Sequence, residues 1–361
     1  MSQDAIGQPK TTAHADTAVV HPRRSGRPDT MQALVLKEPG CLSLERVEVP
    51  DPGPGELLVE VRAAPTCGTD LKAFLRGHPQ IPMPGVFGHE YSGVVVAAGP
   101  GAPFASGQEV MGVHSAPCQT CFWCENDQEN LCQKIMATKV LGSYAQYLKI
   151  PAHIARLNLF PKPAEVGFER AALLEPLACV AHGIEMMGVG SNDRVLIIGP
   201  GAVGLMFASI LRSLGVPAVT VAGRNSQRLA IAEDLGVQAV YLYGLEPKSA
   251  EFDIVIECTG REEIWAKSLD YVRRGGKVVL FGGCPAGSTV SFDTRRVHYD
   301  QITLMSPFHF GTRAVRQARE WVLDPAVRLD HVLSGDRALE DAESVFRDLQ
   351  EGIGIKYIFR P

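Results

Sequence analysis

The stretch Val195–Arg224 reads VLIIGPGAVGLMFASILRSLGVPAVTVAGR. An apolar run stops at a Gly-Pro-Gly turn and resumes beyond it, so the stretch predicts a buried strand, a helix and a second strand. Gly199, Gly201 and Gly204 have the G-x-G-x-x-G spacing, in which backbone N–H groups at a helix start approach a pyrophosphate. Because a strand precedes this pattern and a helix follows it, the stretch favours a dinucleotide-binding fold over an ordinary tight turn.

The composition of the 361-residue chain is that of a mildly acidic globular protein with room for about two domains. The formal net charge is −5 and 21% of the residues are charged, which argues against nucleic acid or an anionic membrane as the main partner. The uncharged run between Arg194 and Arg212 is broken by Gly-Pro-Gly and is shorter than the ~20 residues that span a bilayer. The N-terminus has no secretory apolar region, so we expect a cytoplasmic protein.

Hydrophobic periodicity divides the chain into three kinds of segment. Residues 1–30 are polar and have no apolar period, which predicts a disordered tail. Residues 31–178 contain short strand-like runs between Gly and Pro turns, which predicts a small β-rich domain, and we expect residues 313–361 to return to it. Residues 179–312 alternate strand and helix, which predicts a doubly wound parallel sheet and hence an α/β protein.

Four of the nine cysteines form a C-x2-C-x2-C-x7-C pattern at Cys118, Cys121, Cys124 and Cys132. Four thiolates at this spacing can surround a tetrahedral ion and leave no position for a substrate, which favours a structural zinc in a lobe over residues 118–132. An iron–sulfur cluster and four buried thiols are the alternatives. The odd number of cysteines and their crowding argue against a disulfide framework.

A second group of metal-ligand residues is dispersed along the chain, in Cys67-Gly68-Thr69-Asp70, Gly88-His89-Glu90 and Glu175-Pro176. A catalytic zinc takes about three protein ligands of mixed type and keeps one position open. Taken singly, each of these residues also has a structural interpretation, as a buried thiol, a core histidine or a solvated carboxylate. Spacing alone leaves both interpretations open.

Five motifs occur in a fixed order along residues 31–361, namely CGTD at Cys67–Asp70, GHEYSG at Gly88–Gly93, the four cysteines, EPLAC at Glu175–Cys179 and GPGAVG at Gly199–Gly204. With these motifs the chain resembles the zinc-dependent medium-chain dehydrogenase/reductase family, on its sorbitol and threonine dehydrogenase branch. The resemblance implies a GroES-like first domain, a Rossmann second domain and an active site in the cleft between them. It also implies a homo-oligomer, either a tetramer or a dimer.

The resemblance assigns the dispersed residues to a catalytic zinc. Cys67 and His89 match two of its ligands, and Glu90 and Glu175 match two carboxylates that complete the protein ligation directly or through the metal-bound water. Glu175 stands where ethanol-type alcohol dehydrogenases have a cysteine, which favours a polyol over a simple alcohol. Thr69 matches the hydroxyl that passes the alcohol proton outward.

The end of the second nucleotide-binding strand bears on the choice of cofactor. NAD-preferring relatives carry an acid there for the ribose hydroxyls, whereas this chain has Gly223-Arg224. The glycine leaves room and the arginine offers a guanidinium fork to a 2′-phosphate, although an arginine here can also simply begin the next helix. We therefore expect NADP to be preferred over NAD, with the cofactor bound by Gly199, Gly201, Ala202, Val203, Gly204, Gly223, Arg224 and Arg228.

One position departs from the family pattern. Many relatives have a histidine two residues after the CGTD aspartate, where this chain has Lys72. A lysine is usually charged near neutral pH and is a poor proton shuttle unless burial lowers its pKa. The proton path beyond Thr69 is therefore open, and Lys72 is either a solvated lysine or a ligand for a phosphate or carboxylate of the substrate.

These observations predict a zinc-dependent, NAD(P)-linked oxidoreductase that interconverts a secondary alcohol, such as a polyol or sugar, and its ketone by hydride transfer. An enzyme like L-threonine 3-dehydrogenase is the alternative within this class, since CGTD and EPLAC suit it equally well. A non-catalytic nucleotide-binding protein is the remote alternative. That alternative predicts missing zinc ligands, whereas Cys67, His89, Glu90 and Glu175 are all present.

Overall fold

A computed structural model of the chain describes residues 27–242 and 251–361. Most of the predicted tail, residues 1–26, lies outside the described residues. The first strand begins at Thr30, one residue before the predicted start of the first domain.

The N-terminal region is β-rich, as predicted. Its strands are β1 (Thr30–Glu38), β2 (Cys41–Glu48), β3 (Leu57–Pro65), β4 (Gly85–Val86), β5 (Tyr91–Ala98), β6 (Glu109–Gly112), β7 (Tyr147–Ile150) and β8 (Leu159–Pro161). Strand β1 pairs with β2 and β4 in a small sheet, whereas β3 pairs with β5 and β7 in a larger one that continues through β6 to β8. Alternate residues of β3, namely Leu57, Val59 and Val61, face the apolar core of this region.

The second region contains the strands β9 (Arg194–Ile198), β10 (Ala218–Gly223), β11 (Gln238–Tyr241), β12 (Phe252–Glu257), β13 (Val272–Leu280) and β14 (Thr303–Met305). They form a six-stranded sheet in the order β11-β10-β9-β12-β13-β14, and each neighbouring pair is parallel. All four apolar residues of β9 are buried, because helices cover both faces of such a sheet. The predicted doubly wound fold is confirmed, and its strand order reverses between β9 and β12, which is the kind of point at which open α/β sheets form a ligand-binding crevice.

Helices connect and cover these sheets. In chain order they are α1 (Gly68–Arg76), α2 (Phe122–Glu125), α3 (Ala152–Leu157), α4 (Phe168–Ala171), α5 (Leu174–Met187), α6 (Ala202–Ser213), α7 (Ser226–Asp234), α8 (Glu262–Tyr271), α9 (Thr294–Tyr299), α10 (Thr312–Leu323) and α11 (Ala342–Glu351). Short 3-10 turns lie at Glu129–Leu131, Asp330–Val332 and Leu339–Asp341. Within the described ranges, every helix is too short or too polar to span a bilayer.

Helix α5 is the longest element that the sequence analysis did not predict. Its sequence LEPLACVAHGIEMM is apolar on nearly every side, so it lacks the 3.6-residue period that marks an amphipathic helix. It packs against α10, and both helices contribute to the core beneath the parallel sheet, with Leu177, Val315 and Val322 fully buried. Helix α10 therefore packs on the second region. Most of this helix lies in residues 313–361, which were predicted to return to the first region.

The rest of the C-terminal segment returns to the first region. The strands β15 (Leu333–Arg337) and β16 (Lys356–Phe359) extend the larger sheet, because β16 pairs with β3. Helix α11 buries Val345 and Phe346 in the same core and contacts α1. The last residues of the chain are thereby brought beside the residues that follow β3.

Candidate active site

Cys67, His89 and Glu90 come from two separate turns and converge on one place in the structure. Cys67 precedes α1, and its Sγ accepts a hydrogen bond from Thr69 N at 3.4 Å. His89 and Glu90 lie directly before β5, whose start is adjacent to the end of β3 in the antiparallel pair. One ligand atom from each of the three residues lies within 4.8 Å of the other two. The larger sheet thus brings the first two dispersed motifs together.

Asp70 and Tyr144 hold the imidazole of His89. Asp70 Oδ1 lies 3.2 Å from His89 Nδ1, and the Tyr144 hydroxyl donates a hydrogen bond to Asp70 Oδ2 at 2.6 Å. Burial lowers the pKa of His89, but the charges of Asp70 and Cys67 outweigh burial and raise it well above its ordinary value. With Nδ1 facing Asp70, Nε2 is the nitrogen left for a metal.

Lys356 of β16 forms a buried ion pair with Glu90. Its Nζ lies 2.7 Å from Glu90 Oε1 and 2.6 Å from Oε2, and it also donates to the Thr66 carbonyl at 2.7 Å. Burial raises the pKa of Glu90 to about 7, while the charge of Lys356 acts in the opposite direction. The last strand therefore supplies a counter-charge that the sequence analysis missed, because a lysine within KYIF gives no signal of its partner.

Glu175, near the start of α5, lies beside this group and faces different neighbours. Its Oε1 is 3.3 Å from His114 Nδ1 and 4.0 Å from Cys179 Sγ. Burial raises the pKa of Glu175, but its 3.3 Å contact with His114 and the charge of His89 lower it to about 2. The ionised Glu175 is thus turned toward His114 and stands next to the three converging residues.

Two histidines that the sequence analysis did not predict line the site. The centroid of the His114 ring lies 5.2 Å from that of His89 and 5.4 Å from that of His309. His309 Nε2 lies 2.7 Å from Ser115 Oγ, and the backbone of His309 has a φ of 60°. His114 follows β6 and His309 follows β14, so only the fold brings them to the same site.

The two residues considered for the proton path lie on α1. Thr69 Oγ1 makes no hydrogen bond to any residue in the described part of the chain. Lys72 Nζ reaches the second region, where it donates a hydrogen bond to Gly283 O at 3.0 Å. Burial lowers the pKa of Lys72, and the charge of Cys67 acts against this effect. Lys72 therefore bridges the two regions, a role that its sequence position did not indicate.

The donors of Cys67, His89 and Glu90 fit a catalytic zinc. They offer a thiolate sulfur, an imidazole nitrogen and a carboxylate oxygen, which is a mixed set of three that leaves a position for a further ligand. Glu175 is close enough to raise the pKa of Glu90, so a fourth protein donor is at hand. The partners of His89 and Glu90 hold these ligands in place, as is usual around protein-bound metals.

The four cysteines of the predicted structural site also converge. One Sγ from each of Cys118, Cys121, Cys124 and Cys132 lies within 4.8 Å of the others. The backbone N–H groups of Cys118 and Lys134 donate to Cys132 Sγ at 3.3 and 3.4 Å. Such donors stabilise thiolates, and a closed set of four sulfurs fits a structural zinc.

The cysteine lobe contacts the segment that leads into α10. Glu129 Oε2 accepts hydrogen bonds from Thr312 N and Thr312 Oγ1, both at 2.7 Å. Asn130 Nδ2 donates to Phe308 O at 3.1 Å. These bonds hold the segment that carries His309 against the lobe.

The glycine turn opens onto a cavity of about 610 Å³. Gly199 has a φ of 110°, and a Cβ on Gly204 would lie 2.0 Å from Gly199 O, so both positions require glycine. Helix α6 begins with Ala202 and Val203 and has no side-chain cap, so its first N–H groups are available to a phosphate. The cavity is lined by residues of both regions, among them Gly201, Arg224, Arg228, Thr259 and Gly352.

Two of the residues predicted to accommodate a 2′-phosphate have structural roles. A Cβ on Gly223 would lie 2.4 Å from Pro200 Cγ, so the fold requires glycine here whichever cofactor binds. Arg228 Nη2 donates to Gly354 O at 2.6 Å and so ties α7 to the C-terminal segment. Arg224, in contrast, is exposed at the edge of the cavity.

A smaller cavity of about 220 Å³ adjoins the first one, and Arg224 lines both. Arg261, Glu263 and Lys267 also line it, and Arg261 Nη2 lies 2.6 Å from Glu263 Oε1. Among the described residues, neither Arg224 nor Lys267 has an acidic partner within ion-pair distance. Lys267 lies on α8, far from the glycine motif in sequence, and the sequence analysis missed it.

Both halves of the chain match known domain families. Residues 53–163 match the alcohol dehydrogenase GroES-like domain, and residues 202–324 match the zinc-binding dehydrogenase domain. The predicted GroES-like and Rossmann domains are therefore confirmed.

Curated relatives and a solved structure extend this similarity over most of the chain. The chain is 32% identical over 298 residues to D-altritol 5-dehydrogenase of Agrobacterium fabrum, covering 80% of this chain and 87% of the relative. It is 33% identical over 337 residues to L-threonine 3-dehydrogenase of Coxiella burnetii, covering 88% and 95% respectively. A protein described as a zinc-binding dehydrogenase of Sinorhizobium meliloti, bound to NADP, superposes with a TM-score of 0.84 at 28% identity, covering 92% of this chain and 100% of that chain.

Proposed function

Since the chain belongs to the zinc-dependent medium-chain dehydrogenase/reductase family, we propose that it reversibly oxidises a secondary hydroxyl of a polyol or sugar to the ketone, with NADP as the preferred cofactor. The observation that carries this proposal is the convergence of three mixed metal donors, Cys67, His89 and Glu90, within 4.8 Å of one another. The matched family model is that of a zinc-binding dehydrogenase, and the similar structure from Sinorhizobium meliloti binds NADP, which supports zinc and a nicotinamide cofactor for this chain.

Each residue of the site has a defined task in this reaction. Zinc held by Cys67, His89 and Glu90, with Glu175 beside them, would supply a Lewis acid that lowers the pKa of the substrate hydroxyl. Asp70 contacts His89 Nδ1 and so leaves Nε2 as the nitrogen that would bind the zinc. The nicotinamide supplies the hydride acceptor.

Thr69 is the group available to handle the released proton. Thr69 Oγ1 is free of partners among the described residues and can accept a hydrogen bond from the substrate hydroxyl and donate one onward. Replacing Thr69 by valine should lower kcat by about 10²-fold while leaving the zinc content unchanged.

The preference for NADP rests on the cations around the smaller cavity. Neither Arg224 nor Lys267 forms an ion pair among the described residues, and Glu263, whose pKa the charge of Arg224 helps to lower, is paired with Arg261. A 2′-phosphate would supply the missing negative charge. We therefore expect Arg224→Ala to raise the KM for NADPH by roughly tenfold or more and to leave the KM for NADH unchanged. Equal use of NADH and NADPH by the unaltered enzyme would contradict this preference.

Oxidation of L-threonine is the second candidate, favoured by the 33% identity to the Coxiella burnetii enzyme. Zinc-loaded protein should be assayed for reduction of NADP and NAD over a panel of alditols, aldonates, sugar phosphates and L-threonine. Turnover of at least one sugar-derived alcohol, abolished by removal of zinc, is the expected result. Turnover of L-threonine alone would select the second candidate, and no turnover of any member by metal-loaded protein would count against both.

A homo-oligomer is a further part of the proposal, since it rests on the family resemblance. Light scattering of the purified chain should give two or four times the chain's 39.0 kDa. The mass of a single chain would contradict the proposed oligomer.

A further inference from the structure

Two lysines near the converging donors form no ion pair with any residue that the structure describes, although the charges of Cys67 and Glu257 act on Lys72. Lys72 Nζ makes one hydrogen bond, to Gly283 O at 3.0 Å. Lys139 Nζ makes two, to Gln80 Oε1 and to Met136 O, both at 3.1 Å. An ammonium group has three N–H donors, so each lysine keeps at least one for a ligand.

Lys139 is held at the site through its neighbours. The Gln80 side chain that accepts from Lys139 belongs to a residue whose backbone N–H donates to His78 Nδ1 at 3.2 Å. The next residue, Val140, donates its backbone N–H to His114 O at 2.8 Å. The Lys139 segment therefore lies between His78 and His114, and the ring of His114 is the one that faces Glu175.

This bonding also fixes the tautomer of His78. Because Nδ1 accepts the hydrogen bond from Gln80 N, the proton of the neutral ring lies on Nε2. Burial lowers the pKa of His78, and the charges of Lys72, His89 and Lys139 lower it further. His78 is thus a neutral Nε2–H donor on which the charges of Lys72 and Lys139 act.

The acids of the zinc-donor group each face another partner, and Glu257 accepts its hydrogen bonds from Thr259 and Gly260. Asp70 faces His89, Glu90 faces Lys356 and Glu175 faces His114. Lys72 and Lys139 are both partly buried, so water only partly offsets their charge. A partly buried cation without an ion-pair contact is stabilised by an anion that arrives with a ligand.

We propose that the substrate carries an anionic group, a carboxylate or a phosphate, at the end remote from the reacting hydroxyl, and that Lys139, His78 and Lys72 bind it. This inference rests on the dehydrogenase function proposed above and narrows its substrate to acidic sugar alcohols.

The test measures binding to the zinc-loaded enzyme in its complex with NADPH, by the change in nicotinamide fluorescence. Three probes share a six-carbon chain: D-gluconate, D-glucitol 6-phosphate and the neutral D-glucitol. At least one anionic probe should bind about tenfold more tightly than D-glucitol at low salt, and this advantage should shrink in 0.5 M NaCl. The two anionic probes distinguish a carboxylate from a phosphate.

Variants then locate the effect. Lys139→Gln should weaken binding of the anionic probe by about tenfold and leave the affinity for D-glucitol unchanged. Lys139→Arg should retain most of the affinity for the anionic probe. Lys72→Gln, on helix α1, applies the same binding test to the second lysine. Lys134→Gln is the matched control, because Lys134 is an exposed lysine of the same segment.

Affinities for the anionic probes no higher than for D-glucitol, including no binding of any probe, would overturn the inference. So would a Lys139→Gln variant that weakens charged and neutral probes to the same extent. A zinc-dependent turnover of neutral polyols alone would leave the dehydrogenase function standing and remove only the acidic substrate.

Discussion

The cysteine lobe and the buried site around Cys67 both offer a metal a set of donors, but they are built in opposite ways. The lobe takes four like donors from residues 118–132, and three of its four cysteines are partly exposed. The site around Cys67 takes a sulfur, a nitrogen and an oxygen from two separate turns, and places Glu175 of α5 beside them.

The surroundings of the two sets differ as well. The lobe stabilises sulfur through backbone N–H groups within its own segment, such as that of Lys134. The buried site depends on distant partners: Tyr144 acts through Asp70, and Lys356 comes from the last strand. A closed local site adds stability, whereas a site with mixed donors and outside support is suited to chemistry. Loss of the first should reduce stability, and loss of the second should reduce activity.

The largest effect is expected for Cys67→Ser. The variant should lose a single zinc ion per chain and at least about 10³-fold in kcat, because a catalytic metal contributes several kcal/mol to the transition state. Mass spectrometry of metal content and steady-state kinetics measure both changes. Cys41→Ser, at an exposed thiol, is the control and should change neither. Full activity of Cys67→Ser would contradict a catalytic role for the metal at the site around Cys67.

Lys356→Met tests how far the buried site depends on the last strand. Removing the ammonium leaves the Glu90 carboxylate buried without its counter-charge, which should cost about 3–5 kcal/mol in the free energy of unfolding. Lys356→Arg keeps the charge and should recover a large part of this loss in denaturant titrations. Equal losses in the two variants would show that side-chain shape, and not charge, supports the site.

Cys121→Ser tests the structural half of the comparison. Loss of one thiolate should destabilise the lobe by about 2 kcal/mol and lower the Tm by a few degrees, because metal binding here adds to folding. The kcat of the folded fraction should remain within about threefold of the original value, since Cys121 is remote from the reacting groups. A loss of kcat as large as that of Cys67→Ser would contradict the division of roles.

The smallest effect is expected for Glu129→Gln, which weakens the link between the lobe and α10. The charged oxygen that accepts from Thr312 N and Oγ1 becomes neutral, so stability should fall by about 1 kcal/mol in urea titrations. Glu125→Gln, at an exposed acid of the same lobe, is the matched control and should leave the stability unchanged. Equal effects at the two positions would mean that the contact with α10 adds nothing.

Much of the fold was predictable because its elements have strong local patterns. The strands β9, β10 and β12 and the glycine turn occur where the apolar runs and Gly-Pro-Gly place them. Helix α5 was missed because a helix buried on nearly all sides has no amphipathic period. This miss matters, since α5 carries Glu175 and packs between the two regions.

The candidate ligands were found through motifs, but their partners were not. His114 and His309 follow strands β6 and β14 and meet only through the contact of the two regions. Lys356 is separated from Glu90 by most of the chain, so no spacing rule connects them. Gly223 illustrates the opposite case, because its close contact with Pro200 explains the glycine without reference to the cofactor.

The sequence by itself determined the doubly wound sheet, the β-rich partner domain and the four-cysteine set, because each depends on residues close together in the chain. It also named Cys67, His89, Glu90 and Glu175, by resemblance to a family. Only the tertiary structure decided how these acids and bases are paired, since charges from distant strands and helices meet only after folding. Which charges remain unpaired, as at Lys72 and Lys139, follows from that same arrangement, and it is the basis for the substrate inferred here.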